Sequence, residues 1–169
     1  MKRLAPLLLL SLALSGCGLK PLYAGGASGP VAHTLGTVEV APIEGKAGWL
    51  VRNALTDRLR ASPKGAAVYR LEIELDDQIS GFGIRTDDAV TRERRTLRAR
   101  YRLVEIAKGT VVLDATAGSD AGIDIVSSEY ATIAAENTAL ENLSQVVADQ
   151  ILGRVALFAQ RSAGQDEGQ

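Results

Sequence analysis

Cysteine and histidine occur once each, at Cys17 and His33, and only 4% of the 169 residues are aromatic. A lone cysteine closes no internal disulfide, so stability must come from packing. His33 has no second histidine to work with, and no Gly-x-Ser-x-Gly is present, so the usual paired groups of acid-base and nucleophilic catalysis are missing. The acidic pairs Asp76-Asp77 and Asp87-Asp88 are not embedded in a loop of calcium-ligand spacing. No repeat recurs at a period of about 20 to 50 residues. These absences point to a binding protein, with no metal and no soluble cofactor, and away from an enzyme.

What is present begins at the N-terminus. Lys2 and Arg3 precede an apolar run from Leu4 to Leu14, interrupted at Pro6 and followed by Ser15-Gly16-Cys17. The run falls short of the ~20 residues a spanning helix needs, so it reads as an export signal, residues 1–16. Small residues leading straight into cysteine resemble the lipobox of bacterial lipoproteins. That resemblance implies cleavage before Cys17, a diacylglyceryl group on its thiol and an acylated new amino terminus. Three chains would hold the protein permanently, where one, at ~0.8 kcal/mol per buried methylene, would not. The thiol is then no nucleophile or metal ligand. Gly18, not aspartate, follows the cysteine, which by the same resemblance favours the outer membrane, on its periplasmic side.

Removing Lys2 and Arg3 with the signal leaves 17 basic residues against 20 acidic ones in the 153 residues from Cys17 onward, enough for one domain. Residues 17–34 are small and Gly-rich and read as a lipidated, flexible tether. The domain is expected over 35–162, followed by a disordered tail over 163–169.

Thr37 to Ala41 alternates with β-branched residues and ends at Pro42, as a first strand. Trp49 to Ala61 carries Val51, Leu55 and Leu59 at helical spacing, stopped at Ser62-Pro63, with Trp49 expected in the core. Strand two, about Ala67 to Asp77, turns Tyr69, Leu71, Ile73 and Leu75 one way and Glu72, Glu74 and Asp76 the other. Gln78 to Val90 reads as a loop with Gly81-Phe82-Gly83 at a hairpin tip. In strand three Arg92, Arg94, Arg98, Arg100 and Arg102 share one face, while Leu97, Ala99, Tyr101 and Leu103 share the other.

A three-residue loop, Ala107-Lys108-Gly109 with Gly109 left-handed, would pair Leu103 with Leu113 and Tyr101 with Ala115. It would also set Arg102 opposite Asp114 as a cross-strand ion pair. Strand four is expected from Thr110 to Gly118 and a turn from Ser119 to Asp124. Ser127 or Ser128 then caps a helix whose stripe is Tyr130, Ile133, Leu140, Leu143, Val147, Ile151, Val155 and Phe158. Glu129 in its first turn and Arg154 and Arg161 towards its end suit the helix dipole, and Gly153 hints at close packing or a bend. Strand-helix-strand makes a right-handed crossover and strands two to four a meander. The fold class is α/β: a two-layer sandwich of a four-stranded mixed sheet, β-α-β-β-β-α, with two helices on one face.

Cys17-Gly18-Leu19-Lys20-Pro21-Leu22-Tyr23, then Val51-Arg52-Asn53-Ala54-Leu55, Asp57-Arg58-Leu59, Thr91-Arg92 and Tyr130-Ala131-Thr132 occur in an order that resembles the alphaproteobacterial form of LptE, the lipopolysaccharide-assembly lipoprotein family. Gly48-Trp49 stands where that family often has Gly-Gln, so a role for that glutamine does not carry over. The resemblance implies a lipoprotein that lodges in the outer-membrane barrel LptD, helps it assemble and handles lipopolysaccharide. A polar-skinned domain suits a barrel's wet interior. An auxiliary lipoprotein of an envelope ABC transporter is the alternative, and a secreted hydrolase a third. Guanidinium groups bind phosphate in bidentate fashion, so the arginine face is a candidate contact for lipopolysaccharide or for acidic groups in the barrel lumen. Solvated cross-strand pairing is the plain alternative for that face. Nucleic acid is not a plausible target for an exported protein.

Overall fold

Alternation of apolar and charged residues over three consecutive stretches builds a sheet, and two heptad-like stripes cover it. A computed structural model describes residues 26–84, 90–126 and 128–166; Cys17, with the lipid attachment expected there, lies outside them. After a 3-10 turn at Gly26–Ser28 come α1 (Pro30–Leu35), β1 (Val38–Val40), α2 (Gly45–Leu59), β2 (Tyr69–Ile84), β3 (Val90–Glu105), β4 (Thr110–Asp124) and α3 (Glu129–Asp166). The sheet order is β1-β2-β3-β4, with β1 parallel to β2 and the other pairs antiparallel. This is the expected α/β sandwich, with α1 added ahead of it.

The core lies between sheet and helices. Leu71, Leu103 and Leu113 are in register across β2, β3 and β4, as are Ile73, Tyr101 and Ala115. From α3 Leu140, Leu143, Val147, Ile151 and Val155 close over them, and Val51 and Leu55 come from α2. Arg58 ties α2 to α3 through the Asp149 carboxylate and the Gln145 side-chain oxygen. Tyr69 meets Phe158 edge to face at 5.8 Å.

Several expectations are corrected. The C-terminal part of the expected tether is structured: Pro30 starts α1 at the position a proline tolerates best, and Val31, Ala32 and Leu35 are buried. Gly36 follows because a Cβ there would overlap the Pro63 carbonyl. Trp49 is 63% exposed and not core, since Gly48, Val51 and Leu55 form the buried side of α2. Gln78 to Ile84 is strand, so Gly81-Phe82-Gly83 lies within β2 and not at a hairpin tip. Ser119 to Asp124 likewise continues β4, where Ile123 is buried. Glycine and aspartate suggested turns there, but long pairing with β3 overrides that preference.

The hairpin between β3 and β4 reaches the expected register by another route. Glu105 pairs with Thr110 around a four-residue loop, Ile106 to Gly109, and a bulge at Val112 restores Leu103 opposite Leu113. Gly109 adopts φ 66°, as expected.

In α3 the Ser128 hydroxyl accepts from the Ala131 N–H at 3.4 Å, a weak cap. Tyr130 and Ile133, 84% and 47% exposed, are outside the buried stripe. The helix continues through Asp166, past the expected start of the tail, so no basic residue occupies its last turn. Among the described residues nothing lies within 4 Å of a Cβ placed on Gly153, so close packing there does not explain that glycine. Among the described residues no helix is long and apolar enough to cross a membrane.

Candidate functional site

All five candidate arginines stand on the sheet face turned away from the helices. Arg92, Arg94, Arg98, Arg100 and Arg102 are exposed, and each has an ordered partner. Arg92 pairs with Asp124 at 2.8 Å, Arg100 with Asp114 at 3.1 Å and Arg102 with Glu72 at 3.3 Å. Arg94 lies 3.9 Å from Asp120 and 5.3 Å above the Phe82 ring. Arg98 differs: its Nη1 donates to the Ser119 carbonyl at 3.1 Å, and it forms no ion pair among the described residues. Its side chain lies across Gly118, where a Cβ would collide with it.

Register explains this pattern. Arg102 is opposite Asp114 as expected, yet the ion pair runs diagonally from Arg100, leaving Arg102 to Glu72. Because β4 continues to Asp124, Asp120 and Asp124 join the face as well. On the described strands Arg70 and the five arginines meet Glu39, Glu72, Glu74, Asp76, Asp114, Asp120 and Asp124. The surplus of arginine expected over a shorter sheet is therefore absent, and the face is balanced to within one charge. Exposed pairs of this kind contribute ~0 to 1 kcal/mol each.

A second polar group, on the helix-facing side, has no counterpart in the sequence reading. Arg95 donates from Nε and Nη2 to the two Asp77 oxygens at 2.8 and 2.6 Å, and from Nη1 to the Glu136 carbonyl of α3 at 2.9 Å. Asp77 holds its guanidinium more firmly protonated than usual. Beside it Glu93 has a buried Oε2 with no hydrogen-bond partner among the described residues, and its pKa is raised by burial and by the nearby Glu136 carboxylate. The signal was available: Glu93 and Arg95 occupy the same alternate positions as Leu97 and Ala99.

Glu93 makes stability depend on pH. Its folded pKa lies above the ordinary 4.5, so the folded state holds a proton that the unfolded state releases. Stability contributed by this group is present below about 4.5 and is lost as pH rises through the folded pKa. Glu93→Gln should therefore raise the urea midpoint relative to the parent at neutral pH and not at pH ~4. An advantage that is equal at both pH values would contradict this.

The comparisons with known proteins bear on this fold directly. The model of the family described as LptE, lipopolysaccharide-assembly, matches residues 35–155. The chain belongs to the LptE family. Among solved structures, a candidate lipoprotein from Caulobacter crescentus CB15 is 25% identical, with TM-score 0.65, over 79% of this chain and 98% of that one. The minor lipoprotein of Acinetobacter baumannii, at 12% identity and TM-score 0.59, covers 72% of this chain and 91% of its own. Rare lipoprotein B of Shewanella oneidensis, also 12% identical, has TM-score 0.54 with coverages of 79% and 98%. The last two share the fold. No curated protein matches the sequence. LptE membership agrees with a four-stranded mixed sheet backed by helices.

Proposed function

We propose that this chain is an outer-membrane lipoprotein, anchored through lipid on Cys17, that lodges in an LptD-type β-barrel, helps the barrel assemble and binds lipopolysaccharide on its way to the outer leaflet. Its role is binding and assembly, not catalysis. Membership of the lipopolysaccharide-assembly family supports the setting. The observation that carries the finer reading is the balanced, exposed charged face of the sheet, running from Arg102 to Arg92 across three strands. A polar lumen accepts such a skin without desolvating unpaired charge.

Balance does not prevent phosphate binding. Each exposed ion pair is weak, so a phosphate that offers bidentate acceptors can displace a carboxylate at little cost. Arg98, bound among the described residues only to the backbone carbonyls of Leu97 and Ser119, is the guanidinium that requires no such exchange. Intact mass of the membrane-extracted protein should show loss of residues 1–16 and gain of a diacylglyceryl and an acyl group. An unmodified mass would remove the anchor.

The functional test reverses Arg98 and Arg100 to glutamate and measures lipopolysaccharide binding, barrel association and thermal unfolding separately. The reading expects lipopolysaccharide binding to fall at least about tenfold, two lost charge-assisted contacts at ~1.5 to 3 kcal/mol each being more than sufficient, with unfolding little changed. Loss of barrel association alone would transfer the face to a lumen contact. Retention of both would leave only solvated pairing there.

A further inference from the structure

The two edges of the sheet are treated in opposite ways. On β4 the Gln150 amide reaches from α3 and pairs with both backbone groups of Gly118: Oε1 accepts its N–H at 3.0 Å and Nε2 donates to its carbonyl at 3.3 Å. A side chain thus occupies the place of a fifth strand. Asp114, Asp120 and Asp124 flank that point on the same edge. Charge and a plugged ladder are the usual means of blocking unwanted strand pairing.

The other edge is not blocked. β1 covers β2 only from Tyr69 to Leu71, and after Ala41, whose N–H donates to the Leu71 carbonyl at 3.0 Å, the chain turns away into α2. Backbone groups alternate sides along a strand. Leu71 faces β1, so Leu75, Asp77 and Ile79 turn their N–H and carbonyl groups to the same side, where no backbone partner stands among the described residues. The side chains at these positions lie on the helix-facing side, and Ile79 is 43% exposed. The start of α2 is close by: Lys46 donates to Asn137 at 2.6 Å, and the adjoining Glu136 carbonyl is held by Arg95, the partner of Asp77.

On the opposite side of this edge stand Glu74 and Asp76. Neither makes an ion pair among the described residues, although each is in register with an arginine, Arg100 and Arg98 respectively. An occupant of the edge would therefore meet Leu75 and Ile79, with the neutralised Asp77–Arg95 pair between them, on one side and carboxylates on the other. We infer that β2 from Leu75 to Ile79 is a strand-addition site for an extended peptide segment of a partner in which apolar side chains alternate with lysine or arginine. The backbone ladder supplies affinity; Leu75 and Ile79 select the apolar side chains, and Glu74 and Asp76 the basic ones. Glu74 and Asp76 lie on the arginine face, in register with Arg100 and Arg98, so the readouts that separate this inference from the lipopolysaccharide reading are those of the backbone edge: the Leu75, Asp77 and Ile79 amides and the N-methylated peptide.

The test uses the full chain, 15N-labelled in neutral detergent micelles, and an end-blocked nonapeptide of alternating valine and lysine. Saturable binding should shift the amides of Leu75, Asp77 and Ile79 and slow their exchange, leaving Gly118 unaffected. N-methylation of alternate peptide nitrogens, or glutamate in place of lysine, should each weaken binding at least about tenfold. Ile79→Pro should do the same, because its N–H points away from β3 and the substitution removes no bond of the existing ladder. If that variant fails to fold, the double reversal Glu74→Lys and Asp76→Lys should instead switch preference to the glutamate peptide. No saturable binding, binding indifferent to N-methylation, or shifts centred on the β4 edge would overturn the inference.

Discussion

Leu103→Ala is expected to destabilise the domain by about 2 to 5 kcal/mol, with Ile151→Ala in the same range. Leu103 is fully buried at the centre of a row, in register with Leu71 on one side and Leu113 on the other. Ile151 is equally buried on the helix that covers it. Truncation removes the transfer free energy of the lost methyl groups and leaves a cavity, since β-strands on both sides hold the backbone in place. Chemical denaturation of the full chain checks this through the midpoint at constant slope. A loss below about 1 kcal/mol at both sites would mean that α3 is not seated on the sheet as described.

Arg95→Ala is expected to cost about 2 kcal/mol, whereas Arg98→Ala, three residues along the same strand, should change stability by about 0.5 kcal/mol or less. The difference comes from environment. The Arg95 and Asp77 side chains are only 12% and 24% exposed, and removing the guanidinium leaves the Asp77 carboxylate and the Glu136 carbonyl without their donor. Partial solvent access keeps the cost below that of a fully buried pair. Arg98 donates to the Ser119 carbonyl, which water can serve equally well. Parallel denaturation curves would decide it, and equal losses for both variants would contradict the assignment of faces in β3.

How much could be read in advance depended on whether one physical signal dominated. Strand three was transparent because Leu97, Ala99, Tyr101 and Leu103 alternate with arginine without interruption, and the structure buries those four. The register with β4 was also legible, since only one alignment places Leu113 and Ala115 opposite Leu103 and Tyr101. Strand ends were not. Gly81, Gly83, Gly118 and Gly122 favour turns locally, yet each lies in a strand where cross-strand pairing prevails. That error hid Asp120 and Asp124 and made the arginine face look unbalanced. Trp49 misled in the opposite direction because aromatic area suggested burial, and Tyr130 because the apolar stripe was extended into the first turn of α3; both are exposed. Arg95 was overlooked because a charged residue on an apolar face becomes meaningful only once its partners, Asp77 and Glu136, are brought from other elements.

The most direct measurement for an LptE-family assembly role is purification of the full chain, carrying a C-terminal affinity tag, from outer membranes in mild detergent, with identification of what accompanies it. A stoichiometric outer-membrane β-barrel of the LptD type, retained at high salt and accompanied by lipopolysaccharide, is the predicted result. Recovery of the chain alone, or together with an inner-membrane transporter in place of a barrel, would contradict it.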